Sequence, residues 1–133
     1  MTETTNVTKG DGYAVANLSN LGEGPGFRKI RKELGVTAFG VNAIVLPPSY
    51  ATGSHYHDEQ EELYFLHSGH VAIEFGDGTG HELEPGGLAW VDASTVRKLR
   101  NLSDSEDAVY VAVGGKDGYV GRDGKQPEGE IHR

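Results

Sequence analysis

Three side chains able to hold a cation lie close together in the chain: His55, His57 and Glu62, within the stretch GSHYHDEQEELYFLHSG from Gly53 to Gly69. Two imidazoles and a carboxylate that leave coordination positions open form a recurrent site for a divalent first-row metal, iron(II) especially. The spacing gives such a site a geometric basis. Side chains two apart on an extended strand leave the same face, so His55 and His57 project together, whereas a helix would turn them apart. Glu62, Tyr64 and Leu66 alternate with Leu63, Phe65 and His67 in an aromatic and apolar run, which predicts a second strand. Asp58, Glu59, Gln60 and Glu61 between the two runs are polar enough for a turn. If the strands are neighbours, two imidazoles and one carboxylate converge. The plainer alternative is a pair of solvated histidines in a turn-rich surface stretch.

The rest of the chain reads as short strands between turns. Tyr13–Leu18 alternates loosely and suits an edge strand, residues 22–26 form a glycine- and proline-rich loop, and Phe27–Leu34 suits a short helix or a strand. Val36–Leu46 is apolar and β-branched, and Pro47–Pro48 ends it because proline donates nothing to a ladder. His70–Phe75 and His81–Glu84 flank the hairpin turn Gly76–Gly80, whose Asp77-Gly78 pair is the strongest local cue. Leu88–Val91, Val96–Asn101 and Ala108–Val113 complete the set. Short strands at turn-bounded intervals, with no long helix between residues 36 and 113, predict an all-β sandwich or barrel. Residues 1–35 form an N-terminal segment, residues 36–113 the barrel, and residues 114–133 a glycine-rich charged tail. That tail is expected to be extended or partly disordered, or ordered across a neighbouring subunit.

Composition narrows the function classes. A chain of 133 residues fits one domain and buries a real core without disulfides. The absence of cysteine excludes thiolate metal sites and cysteine nucleophiles. A net charge of −8 argues against nucleic acid as a partner, since phosphate contacts need clustered Lys and Arg. One basic cluster exists, Arg28–Lys32, and it reads as a solvated face opposite Phe27, Ile30 and Leu34. The N-terminal residues lack the apolar core of a signal peptide, and the longest apolar run, Ala108–Val113, is far too short to span a bilayer. A soluble cytoplasmic protein is the expectation.

Gly53–Gly69 resembles the first motif of the cupin superfamily, His-x-His, three or four residues, Glu, six residues, Gly, and satisfies it in full. The second cupin motif runs Gly, five residues, Pro-x-Gly, two residues, His, three residues, Asn. Here it aligns with Gly86, Asp92-Ala93-Ser94, Arg97 and Asn101, so the spacing holds while three identities change. The resemblance covers residues 36–113. It implies a single-domain double-stranded β-helix, or jelly-roll barrel, with the motif residues lining one mouth, and pairing into a homodimer through the sheets. It also implies a bound iron, manganese, nickel or zinc ion held by three histidines and a glutamate. Family activities range from oxygenases and isomerases to storage proteins and sensors, so the fold fixes little of the function.

The departure is Arg97, which occupies the fourth ligand's place. A guanidinium offers no lone pair and keeps its charge. Three arrangements follow. Arg97 swings aside from a three-ligand metal, or it stands beside the metal and grips an anionic substrate bidentately, or it pairs directly with Glu62 in a barrel without metal. The first reading is therefore a metal-dependent small-molecule protein, an enzyme or not, acting on a small acidic substrate, with His55, His57 and Glu62 as ligands and Arg97 and Tyr64 contacting substrate. The second is a metal-free ligand-binding or sensing protein in which Arg97 neutralises Glu62. A third is a purely structural sheet-pairing module. His67 is expected to point away from the pocket, and His70, His81 and His132 to be weaker candidates. Trp90 reads as a core residue.

Overall fold

The computed structural model describes residues 7–121 and 123–127, so His132 lies outside the described residues. β1 (Thr8–Gly10) and β2 (Tyr13–Val15) form a separate hairpin ahead of β3 (Gly26–Arg28) and the short helix α1 (Ile30–Leu34). The strand and helix expected as alternatives for Phe27–Leu34 therefore occur in succession. The barrel follows, built from β4 (Gly40–Leu46), β5 (Tyr56–His57), β6 (Glu61–Ser68), β7 (Val71–Phe75), β8 (Gly80–Leu83), β9 (Leu88–Val91), β10 (Arg97–Asn101) and β11 (Ala108–Gly115). β12 (Gly124–Lys125) returns to pair with β5. Strand β4 starts at Gly40, four residues later than its composition suggests.

Two sheets face each other. One runs β3-β4-β11-β6-β9, antiparallel throughout, and the other is β10-β7-β8. The chain leaving β4 joins the second sheet through bridges Ala51↔Arg100 and His55↔Arg97, which carry it along the edge of β10. Leu46, Tyr64, Leu66, Val71, Ile73, Val91, Leu99 and Tyr110 fill the space between the sheets. The all-β jelly-roll expectation holds. Gly69, which closes the first motif, turns the chain from β6 to β7 with φ +95°, and a Cβ there would lie 2.7 Å from Ala108. Both the backbone conformation and the close approach require glycine.

Strand alternation decides which side chains reach the interior. Tyr64 and Leu66 on β6 are buried, while Leu63, Phe65 and His67 face outward. On β9, Val91 is buried and Trp90 is 62% exposed, so the core placement read for Trp90 is corrected. Its size suggested burial; its parity within the strand puts it on the outer face, opposite Leu63. No helix among the described residues is long and apolar enough to cross a membrane.

Candidate metal centre

His55 and His57 lie on the extended segment that bridges to β10, and Glu62 opens β6, so two different sheets deliver the three groups. Their ligand atoms all fall within 4.8 Å of one another. His57 Nε2 is 3.3 Å and His55 Nε2 3.9 Å from Glu62 Oε1. Ligands about 2.1 Å from a common ion stand roughly 3.0–3.4 Å apart at right or tetrahedral angles, so small side-chain adjustments suffice. His57 Nε2 is buried and has no hydrogen-bond partner among the described residues. A buried, unpaired lone pair is costly unless something else satisfies it. On donor chemistry, spacing and this orphan nitrogen, the three residues fit a divalent metal ion.

The remaining surroundings hold Glu62 ionised. Arg97 Nη2 donates to Glu62 Oε1 at 2.8 Å, and Tyr64 Oη donates to the same oxygen at 2.5 Å. Burial alone would push the Glu62 carboxyl up; the neighbouring His55, His57, Tyr64 and Arg97 outweigh it and hold the pKa far below the carboxylate range. Burial likewise works against charge on His57, yet the carboxylates of Glu62 and Asp123 on either side of the ring together raise its pKa. Oε2 of Glu62 takes part in none of these contacts.

Arg97 is where the sequence reading needs correction. Its side chain is wholly buried. Nε donates to Tyr64 Oη at 3.2 Å, and Nη1 reaches the carbonyls of Asp92, Ala93 and Thr95 at 3.2, 3.3 and 2.7 Å. The guanidinium is thus spent on protein acceptors and presents no face to a ligand. Arg97 pairs directly with Glu62, which is the contact, though not the metal-free barrel, of the third arrangement considered above. Asn101, which closes the second motif, is also structural: Nδ2 donates to the carbonyls of Leu46, Pro47 and Glu106.

The three candidate ligands and Tyr64 line a cavity of about 1080 Å³. Lys29, Arg31 and Lys32 from the start of α1, and Lys125 from β12, line the same cavity, whereas Glu62 is its one carboxylate among the described lining residues. On a chain with net charge −8 that local excess of cations is a marked asymmetry. The basic cluster read as a solvated face therefore divides. Arg28 is buried and donates to the Gly24 carbonyl, while Lys29 and Lys32 stand exposed at the cavity. Arg31 stacks over Tyr119 with 4.0 Å to the ring centroid, tying α1 to the C-terminal segment. Exposed His67 and the surface pair His70–Glu82 lie apart from the cluster, as expected.

Two further residues escaped the sequence reading. Asp123 Oδ1 lies 2.7 Å from His57 Nδ1, and Gln60 Nε2 donates to the same Asp123 oxygen at 2.7 Å. Gln60 occupies space that only a glycine at 114 leaves open, since a Cβ there would meet Gln60 Oε1 at 2.6 Å. The tail composition gave no signal that one of its carboxylates returns to a histidine 66 residues earlier.

Comparison with known proteins agrees with this architecture. No curated protein matches the chain closely enough to count as a relative. A sugar phosphate isomerase of the cupin superfamily from Silicibacter pomeroyi superposes with TM-score 0.62 at 24% identity, over 80% of this chain and 74% of that one. A Klebsiella pneumoniae protein with a double-stranded β-helix domain gives TM-score 0.60 at 20% identity, over 68% and 76%. A DMSP lyase from Ruegeria pomeroyi gives TM-score 0.60 at 18% identity over 70% of this chain, which spans only 46% of the lyase. Another DMSP lyase structure is covered over 44% of its length. At these identities the likeness is one of fold. The family model for the cupin domain matches residues 43–114, more than half of the sequence and all of both motifs, and the chain belongs to the cupin family.

Proposed function

We propose that this cupin binds a divalent transition metal, iron, manganese, nickel or zinc, through His55, His57 and Glu62, and acts as a metal-dependent enzyme on a small anionic substrate. The observation that carries the reading is the buried, unpartnered Nε2 of His57, directed at Glu62 beside a second imidazole. When bound, such an ion supplies Lewis acidity to a carbonyl or phosphoryl oxygen of the substrate. The chain's own residues supply the rest. Arg97 and Tyr64 fix the Glu62 carboxylate, Tyr64 also lines the cavity, and Lys29 and Lys32 draw in negative charge. The anionic substrate class, first read from Arg97, thus rests on these lysines. A neighbouring structure named as a sugar phosphate isomerase, whose substrate class is anionic, is consistent with it.

A second reading is favoured by one observation, the 2.8 Å contact between Arg97 and Glu62. It already neutralises the carboxylate, as a metal-free binding or sensing protein requires. Elemental analysis of untagged, dialysed protein separates the two: less than about 0.1 equivalent of any transition metal sinks the first. The outer face carrying Leu63, Phe65, Leu88 and Trp90, all at least 40% exposed, supports a homodimer paired through this sheet.

A further inference from the structure

The family match ends at residue 114, and the segment that follows lies outside it. It returns across the cavity, where Tyr119, Val120, Lys125 and Gln126 form part of the wall. β12 pairs with β5 in the register Gly124↔His57 and Lys125↔Tyr56, and the Asp58 N–H donates to the Asp123 carbonyl at 3.1 Å. This pairing brings the Asp123 side chain behind the His57 ring.

We propose that Asp123 is the positioning residue of the site, fixing His57 as the tautomer with its proton on Nδ1 and its Nε2 lone pair turned toward His55 and Glu62. Two carboxylates compete for the single proton of a neutral imidazole. Asp123 Oδ1 lies 2.7 Å from Nδ1, a charge-assisted hydrogen-bond distance, whereas Glu62 Oε1 lies 3.3 Å from Nε2. Glu62 Oε1 is also the weaker acceptor, because Arg97 and Tyr64 already donate to it. The proton therefore stays with Asp123. Asp123 in turn cannot rotate away: Oδ2 accepts the backbone N–H groups of Glu59 and Gln60 at 2.9 and 3.0 Å, and Gln60 Nε2, 3.1 Å from Nδ1, donates to Oδ1 at the shorter distance of 2.7 Å. Every neighbour of the carboxylate is a donor, so both oxygens must be acceptors.

That requirement makes Asp123→Asn a sharp perturbation. The two backbone donors are fixed in place, so the amide turns its oxygen to them and its NH₂ toward Nδ1, and the Gln60 amide turns its Oε1 to that NH₂ in place of Nε2. Nδ1 must then accept, and the proton moves to Nε2, closing that nitrogen to any ion. For the metal the inference rests on the proposed function, whereas for the tautomer it does not.

The test has two arms. Long-range ¹H–¹⁵N correlation spectra of metal-free protein, recorded at a pH above the titration of the ring, read the tautomer directly. Wild type should show a protonated Nδ1 and an unprotonated Nε2 at His57. Asp123→Asn should invert the pair, Asp123→Ala should give a mixture, and Asp123→Glu should restore the wild-type pattern. Zn²⁺ affinity by chelator competition should fall about 10–100-fold in Asp123→Asn and recover in Asp123→Glu. An unchanged tautomer in both Asn and Ala variants overturns the proposal, as does a wild type that binds Zn²⁺ measurably but no more tightly than Asp123→Asn. A wild type that binds no divalent ion refutes the metal reading alone, and the tautomer spectra then decide the role of Asp123.

Discussion

Replacing Arg97 by histidine tests what the guanidinium does at the site. Arg97 Nη2 lies 2.8 Å from Glu62 Oε1. An ion about 2.1 Å from that oxygen would sit no more than roughly 5 Å from the guanidinium. At an effective dielectric near 20, a single and a double positive charge at that separation repel by about 7 kcal/mol before screening. The Glu62 carboxylate stands between them and offsets part of this, so wild type should bind metal less tightly than a variant without the guanidinium. Arg97→His removes the repulsion and adds a fourth nitrogen donor. A gain of at least about 100-fold in Zn²⁺ affinity, or 2.7 kcal/mol, is a conservative expectation.

The same substitution has a cost in the metal-free protein. Arg97 is fully buried, and removing one partner of a buried ion pair destabilises by about 3–5 kcal/mol because the other charge is left uncompensated. For a domain of this size that lowers the melting temperature by about 10–15 °C. Zn²⁺ at about a thousand times its dissociation constant should return roughly 4 kcal/mol and recover most of the loss. Arg97→Met, which removes charge without adding a donor, should gain only part of the affinity. Chelator competition and thermal melts with and without Zn²⁺ read all of these quantities. The reasoning is refuted if Arg97→His and Arg97→Met both bind Zn²⁺ no more tightly than wild type.

Glu62→Ala strands the Arg97 guanidinium and should cost about 3–5 kcal/mol in urea unfolding, whereas Glu62→Ala combined with Arg97→Met should cost clearly less. Gly114→Val forces Gln60 out of its place against Asp123, so it should lower both stability and metal affinity; equal affinity to wild type would show that Gln60 is dispensable. Trp90→Glu puts a charge in the middle of the exposed apolar face and should convert a dimer to a monomer by light scattering without lowering the melting temperature of the monomer. Lys29→Glu with Lys32→Glu should weaken binding of inorganic phosphate or a sugar phosphate and flatten its dependence on salt.

The parts of the site that the sequence made legible are the local ones. His55 and His57 share a face because they are two apart on extended chain, and Glu62, Tyr64 and Leu66 face inward by the same period. The spacing of both motifs marks the barrel because each glycine and turn residue meets a local backbone need, as at Gly69. Long-range placement was not legible. Nothing near Lys29 or Lys32 says that β3 pairs with β4 and so carries α1 to the cavity, and nothing in the tail says that Asp123 meets His57. Trp90 shows that side-chain size misleads where strand parity does not.

Arg97 and Asp123 act on the site from opposite sides, and together they explain how a cupin without its fourth histidine can still present ligands. Arg97 holds Glu62 from beneath and keeps its carboxylate ionised; Asp123 holds His57 from behind. The family's usual fourth ligand contributes attraction for the ion, and Arg97 contributes repulsion in its place. A site built this way gives up affinity and keeps geometry. It favours an occupant whose negative charge enters with, or instead of, the metal, which is also what the lysines at the cavity favour. An anion and a metal should then bind with positive coupling: phosphate near saturation should tighten Zn²⁺ binding in wild type, and should do so much less in Arg97→His, where the repulsion it offsets is gone. Equal tightening in both proteins would mean that the anion acts through the lysines alone.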